Sequence, residues 1–235
     1  RFEEFKKDLN VSKLTKDVCQ LTDQQLLLAW QESGLNEYAA LVAVGGFGRG
    51  ELFPYSDVDI LVLLSEKLSA EDLSIVNPKV EAFITRCWDL GIEIGSSVRN
   101  IDECLQEAAA DITVRTSLLE SRWVGGDKKL YRRFLVQFDA AMDAKAFYQA
   151  KLLELRQRHH KHNDTPYSLE PNCKESPGGL RDLQVILWMT KAAKLGNSFS
   201  DLHKKGLLTK RESLEINRNL RFLQTLRTQL HLVAK

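Results

Sequence analysis

The stretch LVAVGGFGRGELFPYSDVDILVLL, residues Leu41 to Leu64, determines how this chain is interpreted. Two apolar runs flank a glycine-rich turn, and the second run opens with Asp57 and Asp59. Because side chains alternate along a strand, these two carboxylates project from one face while Val58 and Ile60 point into the core. Carboxylates beside a buried strand cost free energy unless a cation compensates them. The pattern therefore predicts a pair of converging oxygen ligands for a cation.

The glycine turn supplies a complementary element. Gly45 and Gly46 lack a Cβ atom, so backbone N–H groups can approach a phosphate closely at the end of a strand. Mg²⁺ prefers one or two carboxylates together with substrate phosphates. The turn is neither a Walker A loop, because G-K-[ST] is missing, nor a G-x-G-x-x-G loop. Taken alone, a glycine pair after a strand is more often just a turn, and an Asp at a strand entrance is often a solvated turn residue. In this order, however, the elements predict a site for a metal-bound nucleoside triphosphate.

Composition narrows the class of protein. The chain has 235 residues, 43% of them hydrophobic, which is enough for a substantial core. With 33 basic and 32 acidic residues the formal net charge is +1, so no overall field recruits nucleic acid or an anionic membrane. The sequence has neither a long apolar run nor a secretion signal. We expect a cytoplasmic protein with neither nucleic acid nor membrane as a partner and, because residue 1 is Arg, a piece of a longer chain.

Hydrophobic periodicity divides the chain into three predicted parts: an N-terminal helical segment over 1–35, a small α/β unit over 36–125 and a helical domain over 126–235. Apolar runs and alternation predict three strands and the helices around them, with a fourth strand left open before Gly125. The predicted helices are 2–32 and 76–90, the latter with Pro78 in its first turn, and the predicted strands are 38–44, 58–64 and 91–100.

The C-terminal part is predicted to consist of helices on both sides of one long loop. The spacing of apolar residues over 127–160 predicts one long helix or two in succession. A polar loop of about 20 residues and two further amphipathic helices are predicted to follow. A group of His159, His160, His162 and Asp164 precedes the loop, and we interpret it as a solvated helix end rather than a metal site, because neighbouring helical side chains diverge.

The order of these motifs resembles a known family. VGGFGRGELFPYSDVDILVL is similar to the signature of the DNA polymerase β nucleotidyltransferase superfamily, in which a G-[GS] turn is followed by D-x-D on the next strand. The form G-G-x-G-R-G-E-L-x-P-x-S-D-x-D resembles more narrowly the N-terminal nucleotidyltransferase region of the bacterial bifunctional uridylyltransferase/uridylyl-removing enzymes. GIEIGSSVRN and LEPNCKESPGGLRDLQVILW resemble two further stretches of that family. The resemblance spans Leu41 to Trp188.

The resemblance implies an α+β fold, a short mixed sheet with flanking helices followed by a helical domain. It also implies Mg²⁺-dependent transfer of UMP from UTP to a tyrosine hydroxyl of the nitrogen-regulatory protein PII, with release of pyrophosphate. Asp57 and Asp59 would ligate a two-metal site. Glu93 is the best candidate for a third catalytic carboxylate, although an edge-strand Glu that faces solvent is the alternative.

Further roles follow from the same resemblance. Gly45 and Gly46 would hold the β- and γ-phosphates through the backbone. Arg49 would pair with a phosphate, or instead form a salt bridge with Glu51. Ser56 would reach a phosphate, or instead cap the turn.

Other functions stay open at this point. An adenylyltransferase or a related nucleotidyltransferase of unknown acceptor fits the same motif, and so does a non-catalytic nucleotide-binding scaffold. The family's hydrolase domain carries a His-Asp dipeptide, which this sequence lacks, so we expect transfer without hydrolysis. Near the start of the first helix after the loop, Arg181 and Asp182 are expected to position that helix rather than to contact substrate.

Overall fold

The computed structural model describes residues 2–167 and 172–234. None of the helices in these ranges is long and apolar enough to cross a membrane. In chain order the elements are α1 Phe2–Asp8, α2 Val11–Ser33, β1 Ala39–Ala43, α3 Gly45–Gly48, β2 Val58–Leu64, α4 Ala70–Asp89, β3 Ile94–Arg99, α5 Ile101–Ala110, α6 Ile112–Leu119, β4 Arg122–Gly126, α7 Lys128–Ala140, α8 Ala144–Lys161, α9 Leu180–Ala192, α10 Phe199–Lys204 and α11 Lys210–Val233.

The four strands form one mixed sheet in the order β3-β2-β1-β4. β1 is antiparallel to both β2 and β4, whereas β2 and β3 are parallel. A parallel pair requires a long crossover, and α4 provides it. All five residues of β1 are buried, as its continuous apolar run predicts. The expected short mixed sheet with flanking helices is confirmed.

Strand positions follow the sequence patterns closely. The predicted strand 58–64 coincides with β2, β1 lies within the predicted 38–44, and β3 lies within 91–100. The fourth strand, which the sequence left open, is β4. It ends at Gly126 with φ +70°, and a Cβ there would lie 2.3 Å from the carbonyl oxygen of Ala39. Only glycine fits at this point, because the chain turns while it touches the neighbouring strand.

The chain divides into two structural units. One unit, Lys13–Ala141, contains the sheet, and its core includes Trp30 packed edge-to-face on Phe83 with ring centroids 5.1 Å apart. The other unit combines Arg1–Ser12 with Met142–Lys235, and its described elements are helical. The helical region after the sheet agrees with the expected fold class, while the three-part domain division stays a prediction.

The N-terminal helix differs from the prediction. Residues 2–32 do not form one helix, because the chain breaks between α1 and α2. At the break, Leu9 has φ +52°, and the N–H of Asn10 donates to Asp8 Oδ1 at 2.9 Å. Short polar side chains offer the backbone such local hydrogen bonds in place of helical ones, which explains the interruption.

The start of α4 also differs. The helix begins at Ala70, so Pro78 lies inside it and not in its first turn. Ser69 and Asp72 form a capping box: Ser69 Oγ accepts from the N–H of Asp72 at 3.1 Å, and Asp72 Oδ2 accepts from the N–H of Ser69 at 2.9 Å. Pro78 is exposed, so the carbonyl group that loses its helical partner can be hydrated.

The helices after β4 answer the question whether residues 127–160 form one helix or two. Residues 127–160 form two helices, α7 and α8, because Asp143 Oδ1 accepts from the N–H groups of Lys145 and Ala146 at 2.9 and 3.0 Å and starts a new helix. The short helix α10 was not predicted. α8 ends at Lys161 and α9 begins at Leu180. Residues 168–171 between them, which include part of the family-like LEPNCKESPGG stretch, lie outside the described residues.

Candidate active site

β2 presents the two aspartates of the motif. Asp57 immediately precedes β2, and Asp59 is its second residue. Asp57 is exposed and Asp59 half-buried, whereas the alternate residues Val58 and Ile60 are 5% and 1% exposed. Both carboxylates therefore project from the accessible face, as the strand alternation predicts.

Glu93 immediately precedes β3 and lies beside the two aspartates. The strand runs parallel to β2 with Gly95 opposite Asp59, so Glu93, two residues earlier, lies opposite Asp57. The carbonyl oxygen of Glu93 accepts from the N–H of Val58 at 2.9 Å, which fixes the start of the pair. Asp57, Asp59 and Glu93 line one open cleft with a volume of about 560 Å³. Glu93 is exposed and belongs to the lining of this cleft together with the two aspartates, and its role as a third carboxylate stays a prediction.

The carboxylate of Asp59 fits between two glycines. A Cβ on Gly95 would lie 2.7 Å from Asp59 Oδ1, and a Cβ on Gly45 would lie 3.3 Å from Asp59 Oδ2. Any larger residue at position 95 would displace the carboxylate. The sequence analysis did not single out Gly95, although a glycine inside an alternating strand is a known signal for close approach.

The glycine turn is the short helix α3, which begins at Gly45 with φ +56°. No side chain caps this helix, and the first N–H groups of a helix have no partner within it. Gly48 closes the turn against the end of α6, since a Cβ there would lie 2.1 Å from the carbonyl oxygen of Glu120. The turn is therefore held in place by backbone packing as well as by β1.

Arg49 connects the turn to a buried acid. Its Nη1 donates to Glu120 Oε2, and its Nε donates to Glu51 Oε2 at 3.3 Å. Burial alone would lower the pKa of Arg49, but Glu120 and Glu51 together raise it, so the charged form is favoured. The salt bridge with Glu51 that the sequence left open is present. Glu120, only 5% exposed, is a residue that the sequence analysis missed, because it lies far from the motif and in no recognisable pattern.

Ser56 lies in the turn that leads into β2. Its N–H donates to the carbonyl oxygen of Phe53 at 3.2 Å, and the preceding Tyr55 has φ +58°. This tight turn sets the position of Asp57 at the edge of the cleft. Ser56 is half-buried there, on the same segment as the first aspartate.

The donor set fits a hard divalent cation. Across the described ranges, no group of three His, Cys, Asp or Glu side chains is arranged to hold a metal ion by itself. Mg²⁺ is usually bound by one or two carboxylates and completed by water and substrate phosphates. Asp57, Asp59 and Glu93 all line one open cleft, and carboxylates are the ligand type that such a cation prefers.

The start of α9, in the other structural unit, is held by a network of hydrogen bonds. Asp182 accepts from Arg158 Nη2 at 2.6 Å, from His159 Nε2 at 3.0 Å and from the N–H of Gly178 at 2.7 Å. Burial would raise the pKa of Asp182, but these bonds hold it below its usual value. Arg181 pairs with Glu175 at 2.9 Å.

These contacts agree with a positioning role for Arg181 and Asp182. They also revise the expected solvated helix end, because His159 is engaged by Asp182 and is only 28% exposed. His160 Nδ1 lies 3.5 Å from Asp164 Oδ2, and both side chains are exposed.

Comparison with known proteins identifies the family. Residues 24–119 match the family model described as a nucleotidyltransferase domain, and residues 146–235 match the model described as GlnD PII-uridylyltransferase. The chain is 55% identical over 233 residues to a bifunctional uridylyltransferase/uridylyl-removing enzyme of Ralstonia nicotianae, and 56% identical over 233 residues to one of Cupriavidus pinatubonensis. This chain matches the N-terminal region of the bifunctional uridylyltransferase/uridylyl-removing enzymes.

The matched residue ranges can be placed on the elements of the structure. Each alignment covers 99% of this chain but only 27% and 26% of the two relatives, so the chain spans about a quarter of their length. The nucleotidyltransferase match includes β1 to β3, and therefore the glycine turn and all three carboxylates. The uridylyltransferase match includes α9 with its network around Asp182.

The packing of Gly48 gives a stability prediction. Gly48→Ala would place a methyl group inside the contact distance of a backbone oxygen, so we expect the free energy of unfolding to fall by about 2 kcal/mol. Gly46→Ala is the matched control, because its Cβ would meet its nearest atom at 3.6 Å, an ordinary contact. Urea unfolding of both variants is the measurement. Equal stability of the two would contradict the close packing of α3 on the end of α6.

Proposed function

We propose that this chain transfers UMP from UTP to a tyrosine hydroxyl of PII, with release of pyrophosphate. The observation that carries the proposal is the position of the Asp59 carboxylate between the glycine turn and β3, in one cleft with Asp57 and Glu93. The relatives are named uridylyltransferase/uridylyl-removing enzymes, and the second family model names PII. Since UTP is a cytoplasmic metabolite, the proposal includes a cytoplasmic location.

In this proposal, Asp57, Asp59 and Glu93 ligate Mg²⁺, in a site for two ions. When bound, the metal polarises the α-phosphate and offsets the charge that develops on the leaving pyrophosphate. Asp59 would contribute both of its oxygen atoms to this site, because one lies towards Gly45 and the other towards Gly95. Asp57 and Glu93 lie opposite each other at the start of the β2–β3 pair and would also hold the metal.

The glycine turn forms the phosphate side of the proposed site. The first N–H groups of α3, at Gly45 and Gly46, donate to the β- and γ-phosphates. Arg49 Nη2 lies 3.7 Å from the position of a Cβ on Gly46, so its charge adds to the attraction for phosphate while its ion pairs hold it in place. Ser56, beside Asp57, is the remaining proposed phosphate contact.

The transfer is a displacement at the α-phosphorus. The tyrosine oxygen forms the new O–P bond, the bond from the α-phosphorus to the bridging oxygen breaks, and pyrophosphate leaves with the electron pair. The phenolic proton passes to solvent. This chain's residues contribute the rigid alignment of the reactants, since the carboxylates and the glycine turn sit on the ends of paired strands.

The substrate assignment is tested by competition between nucleotides. The protein is incubated with PII, Mg²⁺ and α-labelled UTP, ATP, CTP or GTP, and the label on PII is measured. We expect label on PII from UTP in preference to the other three. Preferential label from ATP would indicate an adenylyltransferase. Failure of every nucleotide to label PII, with no Mg²⁺-dependent UTP binding in calorimetry, would indicate a non-catalytic scaffold.

The role of Asp57 is tested by Asp57→Asn, which keeps the shape of the side chain and removes its charge. We expect the transfer rate to fall at least about a hundredfold, because a metal ligand that stabilises the transition state contributes several kcal/mol. The melting temperature should not change, because Asp57 is exposed. Asp102→Asn, an exposed aspartate on α5 that does not line the cleft, is the control. Wild-type turnover by Asp57→Asn would refute its role as a ligand.

The role of Gly95 follows from the same geometry. In Gly95→Ala the new Cβ would meet Asp59 Oδ1 at 2.7 Å, so the carboxylate must move. We expect kcat to fall about tenfold or more, because the displaced carboxylate no longer aligns the reactants. The melting temperature should change little, because the short side chain of Asp59 can move away from the new methyl group without a shift of the backbone. Ser96→Ala, on the alternate face of the same strand, should behave as wild type. A Gly95→Ala variant with normal kcat would contradict the placement of Asp59.

A further inference from the structure

The two oxygen atoms of Asp59 define two sides of the cleft. Oδ2 faces Gly45, at the end of β1, and Oδ1 faces Gly95, on β3. Because the sheet order is β3-β2-β1-β4, these glycines lie on opposite flanks of β2. In an in-line displacement, the leaving and attacking oxygens lie on opposite sides of the phosphorus. With pyrophosphate on the glycine turn, as the proposed function has it, the attacking hydroxyl enters over β3.

The cleft on the β3 side has an unusual wall. Beyond the carboxylates it is lined by Trp88, from the last turn of α4, and by the segment 91–95 that leads into β3. Trp88 is 60% exposed, whereas Trp30 and Trp188 are 0% and 4% exposed. The side chain of Trp88 is thus largely open to solvent beside the three carboxylates, and tryptophan is among the residue types most enriched at the energetic centres of protein interfaces.

The position of Trp88 favours contact with the acceptor over contact with the nucleotide. The glycine turn binds the triphosphate on the opposite flank of β2, so the segment 91–95 and Trp88 lie on the side from which the nucleophile comes. A tyrosine of a folded protein reaches the carboxylates only if the surrounding polypeptide rests on the rim of the cleft.

We propose that Trp88 is an acceptor-binding residue: its indole packs against the tyrosine-bearing segment of the protein substrate and directs the hydroxyl towards Asp59 and Glu93. The inference rests on the proposed function and adds to it the surface that recognises the acceptor. Trp88 acts through binding of the protein substrate, since the metal and phosphate contacts belong to other residues.

Steady-state kinetics of Trp88→Ala tests the inference, with PII and UTP varied separately. We expect the KM for PII to rise about tenfold or more, as for truncation of an interface tryptophan, while the KM for UTP and the melting temperature stay at their wild-type values. Trp88→Phe should recover much of the affinity for PII. Ile75→Ala is the matched control, because Ile75 lies on the same helix, is 52% exposed and does not line the cleft.

A binding measurement that does not depend on turnover accompanies the kinetics. Trp88 is the most exposed of the four tryptophans, so PII added in the presence of a non-hydrolysable UTP analogue should shift the fluorescence of the wild-type protein, and Trp88→Phe should lose that shift. A rise in KM for UTP alone would assign Trp88 to the nucleotide. A lower melting temperature with both KM values unchanged would assign it to the fold. Either result overturns the inference.

The outcomes separate this inference from the proposed function. If wild type labels PII and Trp88→Ala does so with the same KM for PII, only the assignment of Trp88 fails. If wild type does not label PII with any nucleotide, the proposed function fails, and the assignment of Trp88 fails with it.

Discussion

The space around the Asp59 carboxylate is the constraint on which the site depends. One oxygen lies against Gly45 and the other against Gly95, so the carboxylate stands in a slot that only two glycines leave open. Three neighbouring strands form this slot: the glycine turn follows β1, Asp59 lies on β2, and Gly95 on β3 forms the opposite side. A carboxylate held this closely has few rotamers available, and such restriction is what preorganises a ligand before substrate arrives.

A second constraint acts on the glycine turn from outside the motif. Arg49 is tied to Glu120, a buried acid that follows α6, and Gly48 packs on the carbonyl oxygen of the same residue. A buried ion pair of this kind is strongly destabilising when one partner is removed, because the other charge is left without compensation. The conformation of α3 is thus determined by a residue 71 positions later in the chain as well as by its own glycines.

Sequence reasoning reached the strands and the aspartates because both are encoded locally. Alternation and apolar runs located β1, β2 and β3, and the D-x-D spacing placed two acids on one face. Glu120 was missed because its importance lies in a contact with a distant residue, which no local pattern records. Gly95 was missed although a glycine within an alternating strand is a local signal for close approach. The predicted start of α4 was wrong because Pro78 was placed in the first turn, whereas the capping pair Ser69 and Asp72 begins the helix earlier.

The parallel pairing of β2 with β3 has a consequence for how the site comes into being. β1 and β2 are antiparallel neighbours along the chain, but β3 reaches its register only after the whole of α4 has crossed over. Closing such a long connection costs chain entropy before the contacts between the two strands can offset that cost. Non-local strand pairings of this type therefore form slowly. We therefore expect Glu93 to join Asp57 and Asp59 late in folding. A chain that has formed only its local hairpin contains the complete sequence motif and still lacks the third carboxylate.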